Sequence, residues 1–188
     1  MRIVGGEFGG TVLSAPKGRT TRPTGERTRE ALFSVLSSQA DFSLMQARVL
    51  DLFAGTGALG LEALSRGGEF CLFVEKDARV RGTLRDNCEA CGVLGRTKIY
   101  RRDATRLGPR AATAGPVFNL VFADPPYGKQ LAEAALGALA AGDWLAHNAM
   151  LVVEEDRRAG FEAPAGFAET QRRSYGDTEL VFLKFVKG

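Results

Sequence analysis

Short apolar runs alternate with amphipathic stretches along most of the chain. From residue 47 onward, mainly apolar runs predict buried strands over 47–53, 70–76, 97–104, 117–126 and 148–156. Between these runs, apolar residues recur at helical spacing and predict helices over 58–67, 77–92 and 129–145. Regular alternation of strand and helix is typical of a mostly parallel sheet that has helices on both faces.

The end of the chain follows a different pattern. Residues 167–176 and 178–186 are both rich in strand-forming side chains, and Gly176-Asp177 favours a tight turn between them. They predict a hairpin that adds two antiparallel strands to one edge of the sheet. The predicted fold class is therefore α/β, with a doubly wound, mostly parallel seven-stranded sheet and a C-terminal antiparallel hairpin.

A separate piece precedes this core. Residues 2–16 predict two short strands around a glycine-rich turn, and residues 24–39 predict a helix. In that helix the apolar residues between Ala31 and Leu36 recur at helical spacing, so we expect it to pack on the sheet. The chain thus begins with a small β-hairpin and helix extension.

Composition narrows the class of protein. Apolar residues make up 45% of the 188 and charged residues 25%, which fits one globular domain. No apolar run approaches the roughly 20 residues that cross a bilayer, and the first residues lack a signal-peptide core. We therefore expect a cytoplasmic protein without membrane contact. Three cysteines and one histidine supply neither a disulfide framework nor a four-ligand zinc site, so no metal is expected.

Positive charge is concentrated near the start of the chain. The first 35 residues contain six basic and three acidic side chains, so they carry the whole net charge of +3. Within them, residues 17–29 hold five cations and one glutamate. Two interpretations remain open: a solvated helix start, which is the usual role of a charge run, or a contact surface for a phosphate backbone.

Acidic residues mark the carboxyl ends of four successive predicted strands: Asp51, Glu75, Asp103 and Asp124. Each of them alone could be a helix cap or a surface acid. Because the carboxyl ends of parallel strands meet at one edge of a sheet, we expect the four to border one ligand site. Glu75 follows Asp51 by 24 residues, where a carboxylate can accept both hydroxyls of a ribose. The four acids together predict a nucleoside site.

The turn after the first strand of this core is rich in glycine. Gly55, Gly57 and Gly60 spell GxGxxG, a pattern that also occurs in dinucleotide-binding proteins. However, Asp51 lies ahead of the glycines, where its charge would oppose a pyrophosphate but could hold an ammonium group. The turn therefore favours a zwitterionic, cationic ligand, and an NAD-dependent oxidoreductase is the less favoured alternative.

The segment VFADPPYGK, residues 121–129, ends an apolar run on Asp124, two prolines and Tyr127. Proline has a fixed φ and no N–H donor, so the backbone here is stiff and its carbonyls are free to accept. One interpretation is a rigid exit from a strand. The other is a slot, lined with acceptors, for a flat substrate that donates hydrogen bonds.

The motifs together resemble a known family. In order, DLFAGTG, VEKD, RRDA and DPPY resemble the Rossmann-like S-adenosylmethionine-dependent methyltransferases, and DPPY resembles their amino-methylating branch. Three further segments, GGEFGG, GRTTRPTGERTREALFSVL and RRSYGDTELVF, are similar to the bacterial 16S rRNA guanine-N2 methyltransferase family, the RsmD type. The resemblance spans nearly the whole chain. It implies an RNA-facing hairpin extension over 1–23 and a cofactor-binding methyltransferase domain over 24–188.

The resemblance also implies roles for individual residues. The catalytic set would receive the base, with the amine held by Asp124 and the Pro125 carbonyl for in-line methyl transfer, and comprises Asp124, Pro125, Pro126 and Tyr127. The residues that would bind S-adenosyl-L-methionine are Asp51, Phe53, Gly55, Gly57, Glu75, Lys76, Asp103 and Ala104. The residues that would face RNA phosphates, or close over the cofactor, are Arg19, Arg22, Arg27 and Arg29.

The implied partner is 16S rRNA, free or within a partly assembled small ribosomal subunit, and the implied enzyme acts as a monomer without a metal. Two alternatives stay open. A DNA adenine-N6 methyltransferase would share DPPY, although such enzymes usually need an added target-recognition segment. A non-catalytic nucleotide-binding or RNA-binding module would bind cofactor or RNA without transferring a methyl group.

Overall fold

The computed structural model describes residues 1–16, 25–126 and 129–186. In these ranges the strands are β1 Arg48–Leu52, β2 Phe70–Val74, β3 Thr97–Tyr100, β4 Phe118–Ala123, β5 Leu145–Asp156, β6 Phe167–Tyr175 and β7 Thr178–Phe185. They form one sheet in the order β3-β2-β1-β4-β5-β7-β6. Strands β1 to β5 pair in parallel, whereas β7 is antiparallel to both β5 and β6. The predicted fold class is confirmed.

The helices are α1 Glu26–Ser37, α2 Ala58–Ser65, α3 Ala78–Ala90 and α4 Leu131–Ala141. Two buried apolar clusters lie on opposite faces of the sheet. One contains Phe33 of α1 and Leu84 of α3, and the other contains Leu136 of α4 and Trp144. Helices therefore cover both faces, as the alternating pattern predicts. No helix in the described residues is both long and apolar enough to cross a membrane.

Two predicted strands end three or more residues before their predicted ends. Strand β3 ends at Tyr100 rather than at residue 104, and β4 ends at Ala123 rather than at residue 126. In both places the residues beyond the strand include an acid that lies outside the hydrogen-bonded ladder. After β4, the two prolines also lack the N–H groups that would extend the ladder. The acids predicted to end these strands therefore lie just beyond them, at the edge of the sheet.

The N-terminal hairpin is reduced to a single antiparallel bridge between Arg2 and Val12. Two backbone bonds form this bridge, from the Ile3 N–H to the Thr11 carbonyl at 2.9 Å and from the Leu13 N–H to the Met1 carbonyl at 2.8 Å. The glycine-rich turn between them bonds to α2 instead of extending the ladder, since the Glu7 N–H donates to the Ser65 carbonyl at 2.7 Å.

The C-terminal hairpin turns as predicted. Tyr175 and Thr178 are paired across the ends of β6 and β7, which leaves Gly176 and Asp177 as a two-residue loop. Gly176 has a φ of 62°, a left-handed conformation that glycine adopts without steric cost. Because β7 is antiparallel to β5, this loop lies at the carboxyl end of β5, beside the edge that carries the acids.

Candidate active site

Asp51 is the centre of the acidic edge. It lies near the end of β1 with only 2% of its surface exposed, and its Oδ2 accepts the Gly60 N–H at 2.9 Å. Burial raises the pKa of Asp51 to about 8; the Gly60 hydrogen bond opposes this rise, and the charge of Glu75 adds to it. A cation that binds beside such a buried carboxyl would stabilise its ionised form.

Strand register brings three acids to one edge of the sheet. Asp51 pairs with Phe73 of β2 and with Phe122 of β4. Glu75 and Asp124 each lie two positions beyond these partners, just past the ends of β2 and β4. The charge of Glu75 raises the pKa of Asp51, and the charge of Asp51 raises the pKa of Asp124, so the three carboxyls are neighbours at the carboxyl edge.

The glycine-rich turn combines close packing with one open position. A Cβ on Gly57, whose φ is 80°, would lie 2.3 Å from Leu84 Cδ1, and a Cβ on Gly60 would lie 2.5 Å from Phe73 Cε1. By contrast, a Cβ on Gly55 would meet nothing closer than the Phe53 carbonyl oxygen at 3.8 Å. Gly57 thus allows α3 to lie close to the turn, and Gly60 allows α2 to lie close to β2. Gly55, by contrast, borders open space.

Phe53 has an unusual backbone. Its φ is 56°, in the left-handed region that bulky side chains rarely adopt. The side chain is half-buried against the apolar cluster on the α4 side of the sheet. Backbone conformations of this kind cost about 1–3 kcal/mol and occur preferentially at functional sites. The strained residue lies directly before the turn that precedes α2.

Glu75 connects the end of β2 to this turn. Its Oε2 accepts the Gly55 N–H at 3.1 Å, and its Oε1 accepts the Asp77 N–H at 2.8 Å. The side chain is half-buried, so it is accessible as well as fixed. Each carboxylate oxygen keeps acceptor capacity beyond the bond that it already makes. Glu75 and the glycine turn are thus neighbours in the structure.

Asp103 serves as the cap of the short helical turn 104–106. Its Oδ1 accepts the Thr105 hydroxyl at 2.7 Å and the Thr105 N–H at 2.9 Å, and these bonds lower its pKa. The other oxygen, Oδ2, lies 3.7 Å from Lys76 Nζ. Ala104 is buried beneath this turn. The helix-cap role that its sequence position also allowed describes most of the contacts of Asp103.

Asp124 is half-buried directly after β4 and follows Ala123. Burial raises its pKa well above the usual range, and the charges of Glu154, Asp51 and Glu155 raise it further. Pro125 is buried and Pro126 is exposed. Tyr127 lies outside the described residues.

Two buried glutamates near the site, Glu154 and Glu155, were not predicted from the sequence. Val152 of β5 pairs with Phe122, so Glu154 lies level with Asp124 on the neighbouring strand. Both glutamates are at most 3% exposed. The signal that could have found them was the rule already applied to the other acids, because residues 148–156 also end an apolar run on carboxylates.

The predicted RNA-facing arginines separate into different environments. Arg27 is exposed in the first turn of α1, whereas Arg19 and Arg22 lie outside the described residues. Arg29 is fully buried; its Nε lies 3.5 Å from Glu62 Oε2, and its Nη2 donates to the Arg2 carbonyl. Burial contradicts the prediction that Arg29 faces RNA, because a side chain that neutralises phosphate has to be reachable from solvent.

Glu62 of α2 is the buried partner that sequence reasoning did not identify. Its carboxylate accepts the Val4 and Gly5 N–H groups at 2.8 Å each and the Arg66 Nε–H at 2.9 Å. Together with Arg29, these contacts tie the N-terminal segment to α1 and α2. Within the described ranges, no group of three or more His, Cys, Asp or Glu side chains has an arrangement that could hold a metal ion.

The chain is similar to proteins of one family along its length. Residues 1–184 match the family described as conserved hypothetical protein 95. YlbH of Bacillus subtilis, provisionally named an rRNA methyltransferase, is 35% identical over 185 residues, 98% of each protein. Ribosomal RNA small subunit methyltransferase D of Escherichia coli is 36% identical over 160 residues, 85% of this chain and 77% of that protein. The solved structure of yhhF from Escherichia coli, provisionally titled a methyltransferase, has a TM-score of 0.83 at 29% identity, and the match covers 100% of this chain and 99% of that one.

Proposed function

The chain belongs to the RsmD-type family of ribosomal RNA methyltransferases, and from this premise we propose that it methylates the exocyclic N2 amine of a guanine in 16S rRNA. The methyl donor in this proposal is S-adenosyl-L-methionine. The observation that carries the proposal is that three acids are neighbours at the carboxyl edge: Asp51 and Glu75 accept N–H groups of the glycine-rich segment 55–60, and the charge of Asp51 acts on Asp124. An acid for an ammonium group, an acid for a ribose and an acceptor for an amine there lie side by side.

The residues at this edge fit the proposed donor. Asp51 is a buried carboxyl whose pKa is raised by burial and by the charge of Glu75, so the ammonium group of the donor would stabilise its charged form. Gly55 borders open space, and Glu75, already held by the turn, keeps acceptor capacity for ribose hydroxyls. When bound, S-adenosyl-L-methionine supplies a methyl group on a sulfonium sulfur, and this sulfur leaves readily as a neutral thioether.

The chain would contribute orientation and hydrogen-bond acceptors. An exocyclic amine is a weak nucleophile, because its lone pair is delocalised into the ring. If the Asp124 carboxylate and the Pro125 carbonyl accept its two N–H bonds, the lone pair is directed away from both acceptors. Orientation of this kind contributes on the order of several kcal/mol. Asp124 acts as an acceptor first, and it can take the released proton afterwards because its pKa is raised.

Binding of RNA would rely on cations of the basic segment 17–29. Arg27 is an exposed member of the cationic segment, and Arg19 and Arg22 belong to the same run in the sequence. Tyr127 would stack on the base that enters beside Asp124. In this proposal the base leaves its stack to reach the acceptors, and the substrate is 16S rRNA, free or within a partly assembled small subunit.

Methyl transfer to small-subunit RNA is the direct test. We expect the protein to transfer a tritiated methyl group to 16S rRNA or to partly assembled small subunits from cells that lack it, and to modify one guanine at N2. Nucleoside analysis and reverse-transcription mapping would locate the product. Label in duplex DNA but not in RNA would instead support an adenine-N6 methyltransferase, and binding without any transfer would support the non-catalytic module.

The raised pKa of Asp51 predicts a pH-dependent affinity for S-adenosylhomocysteine. Below its pKa of about 8 the carboxyl is mostly protonated in the free protein, and the ammonium group favours the ionised form. Binding should therefore release a proton, and affinity should rise with pH from about 6 to about 8, by at most about tenfold per pH unit. Calorimetry in buffers of different ionisation enthalpy would measure the released proton.

The control for this measurement is Asp51→Asn. The amide cannot release a proton, so we expect weaker binding whose proton release is largely lost. Asp86→Asn, an exposed aspartate of α3, should keep the wild-type pH profile. If Asp51→Asn released as much proton as the wild type, the role assigned to Asp51 would be wrong.

A further inference from the structure

Asn87 of α3 makes contacts that its position in a helix does not require. It is 1% exposed, and asparagine is unfavourable in the middle of a helix because its side chain competes with the backbone for hydrogen bonds. Here the side chain reaches outside its own helix. Its Oδ1 accepts the Ser14 N–H at 2.8 Å, and its Nδ2 donates to the Ser14 carbonyl at 3.1 Å.

The same amide also reaches the glycine turn. Nδ2 of Asn87 donates to the Thr56 carbonyl at 2.9 Å, so one planar group uses one acceptor and both donor hydrogens. Thr56 lies between Gly55 and Gly57, whose φ values of 56° and 80° leave the turn few steric restraints of its own. Leu84, one helical turn earlier in α3, packs against Gly57. Helix α3 therefore holds the turn at two successive points.

From these contacts we infer that Asn87 is a positioning residue that holds both the glycine turn and Ser14 in place through one side chain. In the sequence, Ser14 lies three residues before Lys17, the first cation of the basic segment 17–29. The inference rests on the proposed function for the identity of the ligands. This position requires one acceptor and two donors on the same side chain, which asparagine supplies. Aspartate lacks the donors, and an apolar side chain would leave Ser14 and Thr56 without their partner.

The two contacts can be separated by substitution. Asn87→Asp keeps an acceptor for the Ser14 N–H but turns a carboxylate toward the Ser14 and Thr56 carbonyls. Asn87→Ala removes all three bonds without adding charge, and it serves if the aspartate variant fails to fold. Ser14→Pro removes the donor that Asn87 accepts and leaves the bond to Thr56; because proline also fixes φ at residue 14, its melting temperature is compared with that of the wild type. Leu136→Val, in the core on the opposite face, is a control for general loss of stability.

We expect both Asn87 variants to raise the dissociation constant of S-adenosylhomocysteine by about tenfold, the upper end of what the loss of the one hydrogen bond to the Thr56 carbonyl would produce. Ser14→Pro should leave that constant within about twofold and raise the KM for the rRNA substrate. Hydrogen exchange in the free protein should quicken at the Gly55–Gly57 amides only in the Asn87 variants. Calorimetry, steady-state kinetics and melting temperature would be measured on the full chain.

Three results would overturn the inference. One is wild-type cofactor binding and wild-type exchange at Gly57 in Asn87→Ala. Another is the same loss of cofactor affinity in Leu136→Val at an equal fall in melting temperature, which would make Asn87 merely structural. The third is an equal loss in Ser14→Pro, because Thr56 would then not be the relevant contact. If the wild type transferred no methyl group to RNA, only the proposed function would fail, since exchange at the turn is measured without RNA.

Discussion

Replacing Asp124 by Asn is expected to lower kcat for methyl transfer by about 10²–10³, the usual effect of removing one preorganised polar group from a reacting centre. The amide keeps the shape of the side chain but presents an NH₂ group to an amine that itself donates. If the amide turns over, its single oxygen can still accept, but without the negative charge that strengthens the hydrogen bond and without the capacity to take the released proton. We expect kcat and kcat/KM for RNA to fall together, because the interaction matters most in the transition state.

The dissociation constant of S-adenosylhomocysteine should change little in Asp124→Asn, because Asp51 and Glu75 hold that ligand in the proposal. Asp86→Asn is the matched control, since it makes the same chemical change at an exposed site on α3. Single-turnover methyl transfer would separate chemistry from product release. Full activity in Asp124→Asn would contradict the mechanism, whatever the effect on binding.

Glu154 offers a second way to examine Asp124 without touching the base. Its charge is the largest electrostatic contribution, after burial, to the raised pKa of Asp124. An ionised Asp124 accepts hydrogen bonds at both oxygens, whereas a protonated one donates from one of them. The acidic limb of the pH–rate profile therefore reports how readily Asp124 ionises beside the glutamate pair.

The periodicity of the sequence was sufficient to predict the fold and the edge that carries the acids. An acid marks the carboxyl end of each of these predicted strands, and in a parallel sheet those ends must meet, so Asp51, Glu75 and Asp124 could be assigned to one edge. Strand ends were less predictable. The ladder stops where Asp103 turns to cap a helix and where Pro125 cannot donate, and both features depend on local backbone geometry rather than on hydrophobic pattern.

The environment of Arg29 could not be predicted from its neighbours in sequence. It lies in a run of cations, and a run of cations is usually exposed. Its partner, Glu62, belongs to a different helix and is equally hidden within an apolar stretch of α2. Only the packing of α1 against α2 reveals the pair. Charge patterning therefore identified the basic segment but could not separate its exposed cation, Arg27, from the buried one.

Replacing Arg29 by Ala is expected to lower the free energy of unfolding by about 3–5 kcal/mol, because it leaves the buried Glu62 carboxylate without one of its cations. The loss includes the bond from Arg29 to the Arg2 carbonyl, which joins α1 to the N-terminal segment. Arg29→Lys should recover only part of this stability. A single ammonium cannot reproduce the separate contacts that the guanidinium makes with Glu62 and with Arg2.

Equilibrium urea unfolding followed by circular dichroism would measure these differences, with Arg27→Ala as the matched control. Arg27 is an exposed arginine on the same helix, so its loss should change stability by no more than about 0.5 kcal/mol. For RNA affinity we expect the reverse order. Arg27→Ala should weaken RNA binding and Arg29→Ala should not, because an exposed cation contributes to phosphate binding and a buried one does not. If Arg29→Ala unfolded like the wild type and lost only affinity for RNA, the arginine would be an RNA contact after all, and its burial against Glu62 would not describe the protein in solution.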